Sequence, residues 1–182
     1  VELSKNCKEN TQRWIANPYR IDWEPLFASA FERWKLLQVL ESSNQLNCQF
    51  IYRPKYRAGA KTREQLDQTT KEYYDNILQS DYVLCMRGAG NFSVRFYETL
   101  MMGKIPIFVN TDCLLPLADE IDWKKHVVWV EWDERHLIAS KVLDFHQNIS
   151  PEAFVELQLQ NRKLWKEQLT VGHYLQKLSN DL

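Results

Sequence analysis

Arginine, glycine, asparagine, serine and glutamate crowd one short stretch of this sequence, Met86-Arg87-Gly88-Ala89-Gly90-Asn91-Phe92-Ser93, and continue through Arg95 to Glu98. The chain holds only five glycines, and Gly88, Gly90 and Gly103 all fall in or just after it. Glycine lets a backbone approach a ligand closely, and a loop entering a helix presents unpaired amides at the positive end of the helix dipole. That is anion-binding chemistry, with Arg87 as a fixed positive charge and Asn91 or Ser93 as the helix cap. The glycine pattern alone also fits an ordinary tight turn before a capped helix. Behind the loop, Phe92 to Met102 is apolar around nearly its whole circumference, as in a helix buried on several sides. Arg95 and Glu98 interrupt that surface and share one face. They fit an intrahelical ion pair. They also fit a ligand site, because ions in so apolar a helix are costly to desolvate without further partners. A diphosphate against Arg95 and ribose hydroxyls against Glu98 would be such partners.

Elsewhere the candidates are fewer. Arg53, Lys55, Arg57, Lys61 and Arg63, interleaved with Tyr52 and Tyr56, form the most basic loop. Arg53 and Arg57 could reach the phosphates of a bound ligand, and a nucleic-acid role is the weaker idea in a chain of formal net charge −1. Asp112, with Asp119, Glu120 and Asp122, could meet sugar hydroxyls, but the spacing matches no cation loop and no metal is expected. His126, His136, His146 and His173 are dispersed and read as structural or surface residues. Trp123, Trp129 and Trp132 could line a sugar site, although most of the seven tryptophans read as core. The cysteines Cys7, Cys48, Cys85 and Cys113 lack metal-ligand spacing and read as free thiols, which favours a reducing compartment. Asn91-Phe92-Ser93 and Asn148-Ile149-Ser150 are formal glycosylation acceptors.

The elements that must hold these residues follow from apolar periodicity. Helical spacing runs from Phe27 to about Ser42. A short apolar run, Cys48 to Tyr52, reads as a buried strand, and Thr62 or a neighbour caps a long helix from Arg63 to Gln79. The strand Tyr82 to Met86, a helix from about Ser93 to Met102 and the strand Ile105 to Val109 give βαβ order. The run Val127 to Val130 follows, then helices around Glu134 to Gln147 and Pro151 to about Gln168. Continuous apolar strands alternating with helices predict an α/β fold, a Rossmann-like parallel sheet with helices on both faces, over residues 27–182. Residues 1–26 read as an irregular or partly helical segment.

The chain of 182 residues is 45% hydrophobic and 26% charged, the balance of a soluble globular protein. It shows no apolar run long enough to span a bilayer and no signal-peptide core. A start at Val1 fits a processed or excised chain. The expected compartment is cytoplasmic, or the Golgi lumen for a eukaryotic protein with an upstream anchor.

The ordered stretch Ser80 to Glu98, continuing through Gly103-Lys104-Ile105-Pro106-Ile107-Phe108-Val109, resembles the carboxyl-terminal motif of the exostosin glycosyltransferase family. Leu115-Pro116 and Glu120-Ile121-Asp122-Trp123 resemble that family's continuation, and the order of elements extends the likeness over about two-thirds of the chain. Met86 stands where many members carry proline, and the residues from Val1 to Phe27 do not align with the family's opening strand and glycine turn. The resemblance implies the nucleotide-sugar-binding half of a two-domain GT-B enzyme. It implies a nucleotide-diphosphate sugar, usually a UDP-sugar, as donor, a glycan or other hydroxyl acceptor, and no further cofactor. Arg87, Ser93 and Arg95 would lie near the diphosphate, with Glu98 at the ribose. An acceptor-binding domain would precede this one and would carry any catalytic base. The alternative is a non-catalytic nucleotide- or sugar-binding module of the same fold.

Overall fold

Three runs of large apolar residues form the centre of the computed structural model, which describes residues 11–16, 19 and 29–180. They are β1 (Tyr82–Cys85), β2 (Ile105–Asn110) and β3 (Val128–Glu131), paired in parallel in the order β1-β2-β3. Tyr82 stands opposite Ile105 and Ile107 opposite Val128. Parallel strands need crossovers, and helices supply them. In chain order these are α1 (Ser29–Glu41), α2 (Arg63–Leu78), α3 (Val94–Met101), α4 (Ile138–Gln147), α5 (Pro151–Leu164) and α6 (Val171–Asn180).

Alternation along the strands divides the interior into two cores. Leu84, Ile105, Ile107, Val109 and Val130 pack with Leu36 and Leu40 of α1, Ile138 and Val142 of α4 and Leu157 of α5. On the other face Val83, Cys85 and Phe108 pack with Ile77 of α2, Phe96 and Leu100 of α3 and Leu164. The sheet is therefore covered on both faces, the Rossmann-like layering expected from its continuous apolar strands. Thr62 caps α2 in a full capping box with Gln65, which fixes where the basic loop ends. Fully buried Asn161 fastens α5 to the sheet, donating to the carbonyls of Lys104 and His126 at 3.1 and 3.0 Å and meeting His126 Nδ1 at 2.9 Å.

Several elements differ from the sequence reading. Cys48 to Tyr52 is not a strand: it belongs to a segment without regular structure that pairs with no strand among the described residues. Leu46, Cys48 and Phe50 still lean on the first core, so alternate burial is met by packing alone, and Asn76 Nδ2 donates to Gln49 O at 2.8 Å. A 3-10 turn, Arg135–Leu137, delays α4. A π-helical turn, Trp165–Leu169, separates α5 from α6, a helix the periodicity did not announce. Of the segment read as irregular or partly helical, residues 11–16 are helical and the rest, Tyr19 apart, lie outside the described residues, as do Phe27 and Ala28.

Candidate functional site

The interior run of β1 carries on through Met86 to Arg87, which is only 8% exposed although charged. Beyond it the chain turns back, closed by Gly88 N–H donating to Phe92 O at 3.1 Å. The two glycines of this loop serve different ends. A Cβ at Gly88 would meet nothing within 4 Å, whereas one at Gly90 would sit 2.7 Å from the Phe92 ring. Neither has a positive φ, so clearance and not backbone handedness is what they supply.

Capping does not follow the expectation. Ser93 occupies the N-cap of α3 at φ −128°, ψ 112°, but its side chain bonds no helix amide. Asn91 is engaged elsewhere, its Nδ2 donating to Thr111 O at 2.9 Å while its Oδ1 accepts from the Thr111 hydroxyl at 2.7 Å. Asn91 thus ties the loop after β1 to the loop after β2, which draws the carboxyl ends of both strands together. Ligands of open α/β sheets lie at such ends.

Arg95 and Glu98 share a face of α3 as expected, yet they form no direct ion pair. Tyr73 of α2 stands between them: its hydroxyl donates to Glu98 Oε2 at 2.5 Å and accepts from Arg95 Nε at 3.2 Å. The Arg95 guanidinium also lies over the Tyr73 ring, 5.1 Å from its centroid. Tyr74 reaches Glu98 Oε1 at 3.4 Å. Burial, and then the hydrogen bond to Glu98, push the Tyr73 hydroxyl far above the ordinary tyrosine range, so it remains protonated and donating. The helix is also less enclosed than its composition suggests, since Val94 is 58% exposed.

Two residues of this group escaped the sequence reading. Tyr73 lies inside a predicted helix, with no local sign that it faces α3. Arg33 of α1 donates through Nη2 to Arg87 O at 3.4 Å, which brings a second helix to the end of β1. Its pKa is lowered by burial first and by the like charge of Arg95 second. The only available signal was the apolar spacing of α1, whose buried residues Ser29, Glu32, Leu36 and Leu40 leave Arg33 beside the inward face.

The remaining candidates lie apart from this group or at its margin. Arg53 pairs with Glu72 at 2.6 Å, one residue before Tyr73, and Arg57 is exposed at φ 49°. Asp112 is exposed at φ 56° directly after Thr111, its N–H donating to Asn110 Oδ1 at 3.0 Å. Trp123 belongs to the second core and its Nε1 donates to Pro116 O at 3.0 Å, so it lines no sugar site. The expected acidic stretch is divided among separate ion pairs, Asp122 with Lys125 at 3.3 Å and Glu120 with Lys177, and among the described residues no three potential metal ligands cluster. A cavity of about 300 Å³ opens between β1 and the segment holding Cys48, with Arg95 among its lining residues. A larger hollow of about 760 Å³ beside β3, between α4 and α5, touches none of the site residues. Cys48, Cys85 and Cys113 are free thiols. Among the described residues no helix is long and apolar enough to cross a membrane.

Comparison with known proteins bears on this arrangement. The exostosin GT47 domain model matches residues 29–142, which include α1, the basic loop, the candidate site and all three strands of the sheet. The chain is 37% identical over 59 residues to a probable glucuronosyltransferase 47 A of Physcomitrium patens, covering 32% of this chain and 13% of that protein. It is 36% identical over 62 residues to a probable glucuronosyltransferase, Os01g0926600, of Oryza sativa subsp. japonica, covering 34% of this chain and 15% of that protein. It is 34% identical over 58 residues to the probable beta-1,4-xylosyltransferase IRX10 of Arabidopsis thaliana, covering 32% and 14%. The matched stretch is thus a small part of each relative's length. A parallel sheet covered on both faces and a family match over residues 29–142 agree with one another, and this chain belongs to the exostosin GT47 family of glycosyltransferase domains.

Proposed function

We propose that this domain holds a nucleotide-diphosphate sugar, of the UDP-sugar class, for transfer to a glycan or other hydroxyl acceptor. The observation that carries the reading is the linkage Arg95–Tyr73–Glu98 beside the carboxyl end of β1, where buried Arg87 and the amides opening α3 also lie. As the bond from sugar to diphosphate breaks, negative charge grows on the leaving phosphate, and donors set in advance around it lower the barrier. Arg87, Arg95 and the amides after Ser93 are suited to receive that charge. The Ser93 hydroxyl makes no cap bond, which fits a further contact to phosphate. A carboxylate has about four acceptor positions, so Glu98 can hold Tyr73 and still accept from ribose hydroxyls. Gly88 keeps the loop clear of a side chain on the ligand's approach.

The relatives' names point to glucuronosyl or xylosyl groups as the transferred sugar. In this reading the chain forms the donor wall of a cleft, and a separate domain supplies the acceptor wall with any catalytic base. Leu114, 97% exposed in the loop after β2, and exposed Phe92 and Val94 give that edge an apolar rim fitted to a neighbour. Calorimetry with UDP tests the proposal. Arg95→Ala should abolish most of the binding while the circular dichroism spectrum stays that of the parent, and undiminished affinity would sink it.

A further inference from the structure

Arg33 and Arg95 come from helices on opposite faces of the sheet, α1 and α3, yet Arg33 reaches Arg87 O just past β1, and Arg95, at the start of the helix that follows, is near enough for its like charge to lower the Arg33 pKa. Arg33 can pass over the end of β1 because the outer edge of β1 carries no strand among the described residues. The nearby carboxylates are already engaged. Glu32 accepts from Lys35 at 2.8 Å and pairs with Arg135 at 3.8 Å, and Glu98 holds the two tyrosines. Each ion pair among the described residues uses some other cation than Arg33. A half-buried guanidinium with a like charge beside it, and only a long bond to a carbonyl, is an electrostatic cost that folding by itself gives no reason to keep. An anion bound between the two arginines would remove that cost.

We propose that Arg33 is a further anion-contacting residue of this site, meeting the donor's diphosphate from the α1 side while Arg95 meets it from the α3 side. The inference rests on the donor-site reading above and extends it to a residue outside the loop and helix that first suggested the site. It turns one wall of donors into a clamp closed across the edge of the sheet.

The test uses the full chain, wild type and Arg33→Met, melted alone and with inorganic pyrophosphate, and titrated with UDP by calorimetry. Relief of like-charge burial means that Arg33→Met without ligand melts at or above the wild-type temperature. Its UDP affinity falls by about tenfold or more, as expected for loss of a charge-assisted contact, and pyrophosphate raises its melting temperature less than it raises that of the wild type. Wild-type affinity in Arg33→Met, or a lower melting temperature with an unchanged pyrophosphate response, overturns the inference and leaves Arg33 a structural tether of Arg87 O. If Arg33→Met does not fold, Arg33→Gln, which keeps a donor for that carbonyl, carries the same comparison. UDP binding to the wild type with equal affinity in the variant removes Arg33 alone. Pyrophosphate binding that needs Arg33, without any UDP binding, removes the nucleotide reading and keeps the anion clamp.

Discussion

The hydroxyl of Tyr73 links Arg95 to Glu98, so each side chain of α3 takes its position from α2 as well as from its own helix. Tyr73→Phe keeps the ring under the Arg95 guanidinium and removes only that link. A partly buried carboxylate that loses a hydrogen bond costs about 1–3 kcal/mol, and urea denaturation should show a loss of that size. Calorimetry should show weaker UDP binding as well, because Arg95 loses its hydroxyl anchor. Unchanged stability and affinity would mean that the link is incidental. A second residue-scale expectation concerns alkali. Cys85 is fully enclosed beneath α3, with Thr99 Oγ1 at 3.5 Å, and burial pushes its thiol up to about 12. Burial likewise raises the Tyr82 hydroxyl to about 12. Both groups bind their protons more tightly folded than unfolded, so their contribution is complete below the unfolded values, roughly 8.5 for cysteine and 10 for tyrosine. It is lost as pH rises from there toward about 12. Denaturation midpoints should therefore fall across that alkaline window, and fall less steeply in Cys85→Ala. The native protein should also leave Cys85 unmodified by thiol reagents at pH 8.

Among the elements, the loop from β1 to α3 has one glycine that faces open space and one that lies against its own loop. An alanine Cβ at position 88 meets nothing within 4 Å, and one at position 90 meets the Phe92 ring at 2.7 Å. Gly88→Ala should accordingly keep the parent melting temperature and lose nucleotide affinity, whereas Gly90→Ala turns aside the exposed Phe92 ring and should lower the melting temperature only slightly while keeping more of the affinity. The reverse order of effects would show that the open side of the loop does not face the ligand. Where α3 ends, Gly103 adopts φ 66° and its Cβ position lies 3.2 Å from Gln158 O of α5. Gly103→Ala brings left-handed strain of about 1–2 kcal/mol together with a close contact. Asn161→Leu is the comparable change in α5, since it removes the side-chain hydrogen bonds to two part-buried carbonyls and to His126 Nδ1, at a cost of up to about 1–3 kcal/mol for a group left unsatisfied. Chemical denaturation of the two variants measures how firmly α5 is fastened to the sheet.

At the scale of the whole molecule, a donor wall can be complete in one domain while transfer needs the acceptor held within reacting distance, an orientation worth roughly 7–11 kcal/mol of barrier. This chain should therefore bind a uridine nucleotide and show little or no multiple-turnover transfer from a panel of UDP-sugars to glycan acceptors. Robust turnover would mean that the chain, or an assembly of it, builds the acceptor site itself. Much of this molecule was legible in residue order. Apolar runs at 82–86, 105–109 and 127–130 read as buried strands and are strands, helical spacing set the layers between them, and Thr62 was a candidate cap for α2, because periodicity and capping are properties of neighbours in the chain. The proposal of an anion site at Arg87 to Glu98 arose for the same reason, since loop, helix start and charges are contiguous. What lay beyond the sequence was every relation across space. Cys48 to Tyr52 has the composition of a strand, but a strand exists only where a ladder partner meets it, and among the described residues none does. Asn91 has the type of a cap and bonds Thr111, 20 residues away, because the carboxyl end of β2 lies next to the loop. Arg33 and Tyr73 belong to helices with no local mark of function. Packing those helices on opposite faces of one sheet brings Tyr73 to Arg95 and Glu98 and Arg33 to Arg87 O, and only the tertiary fold determines those meetings.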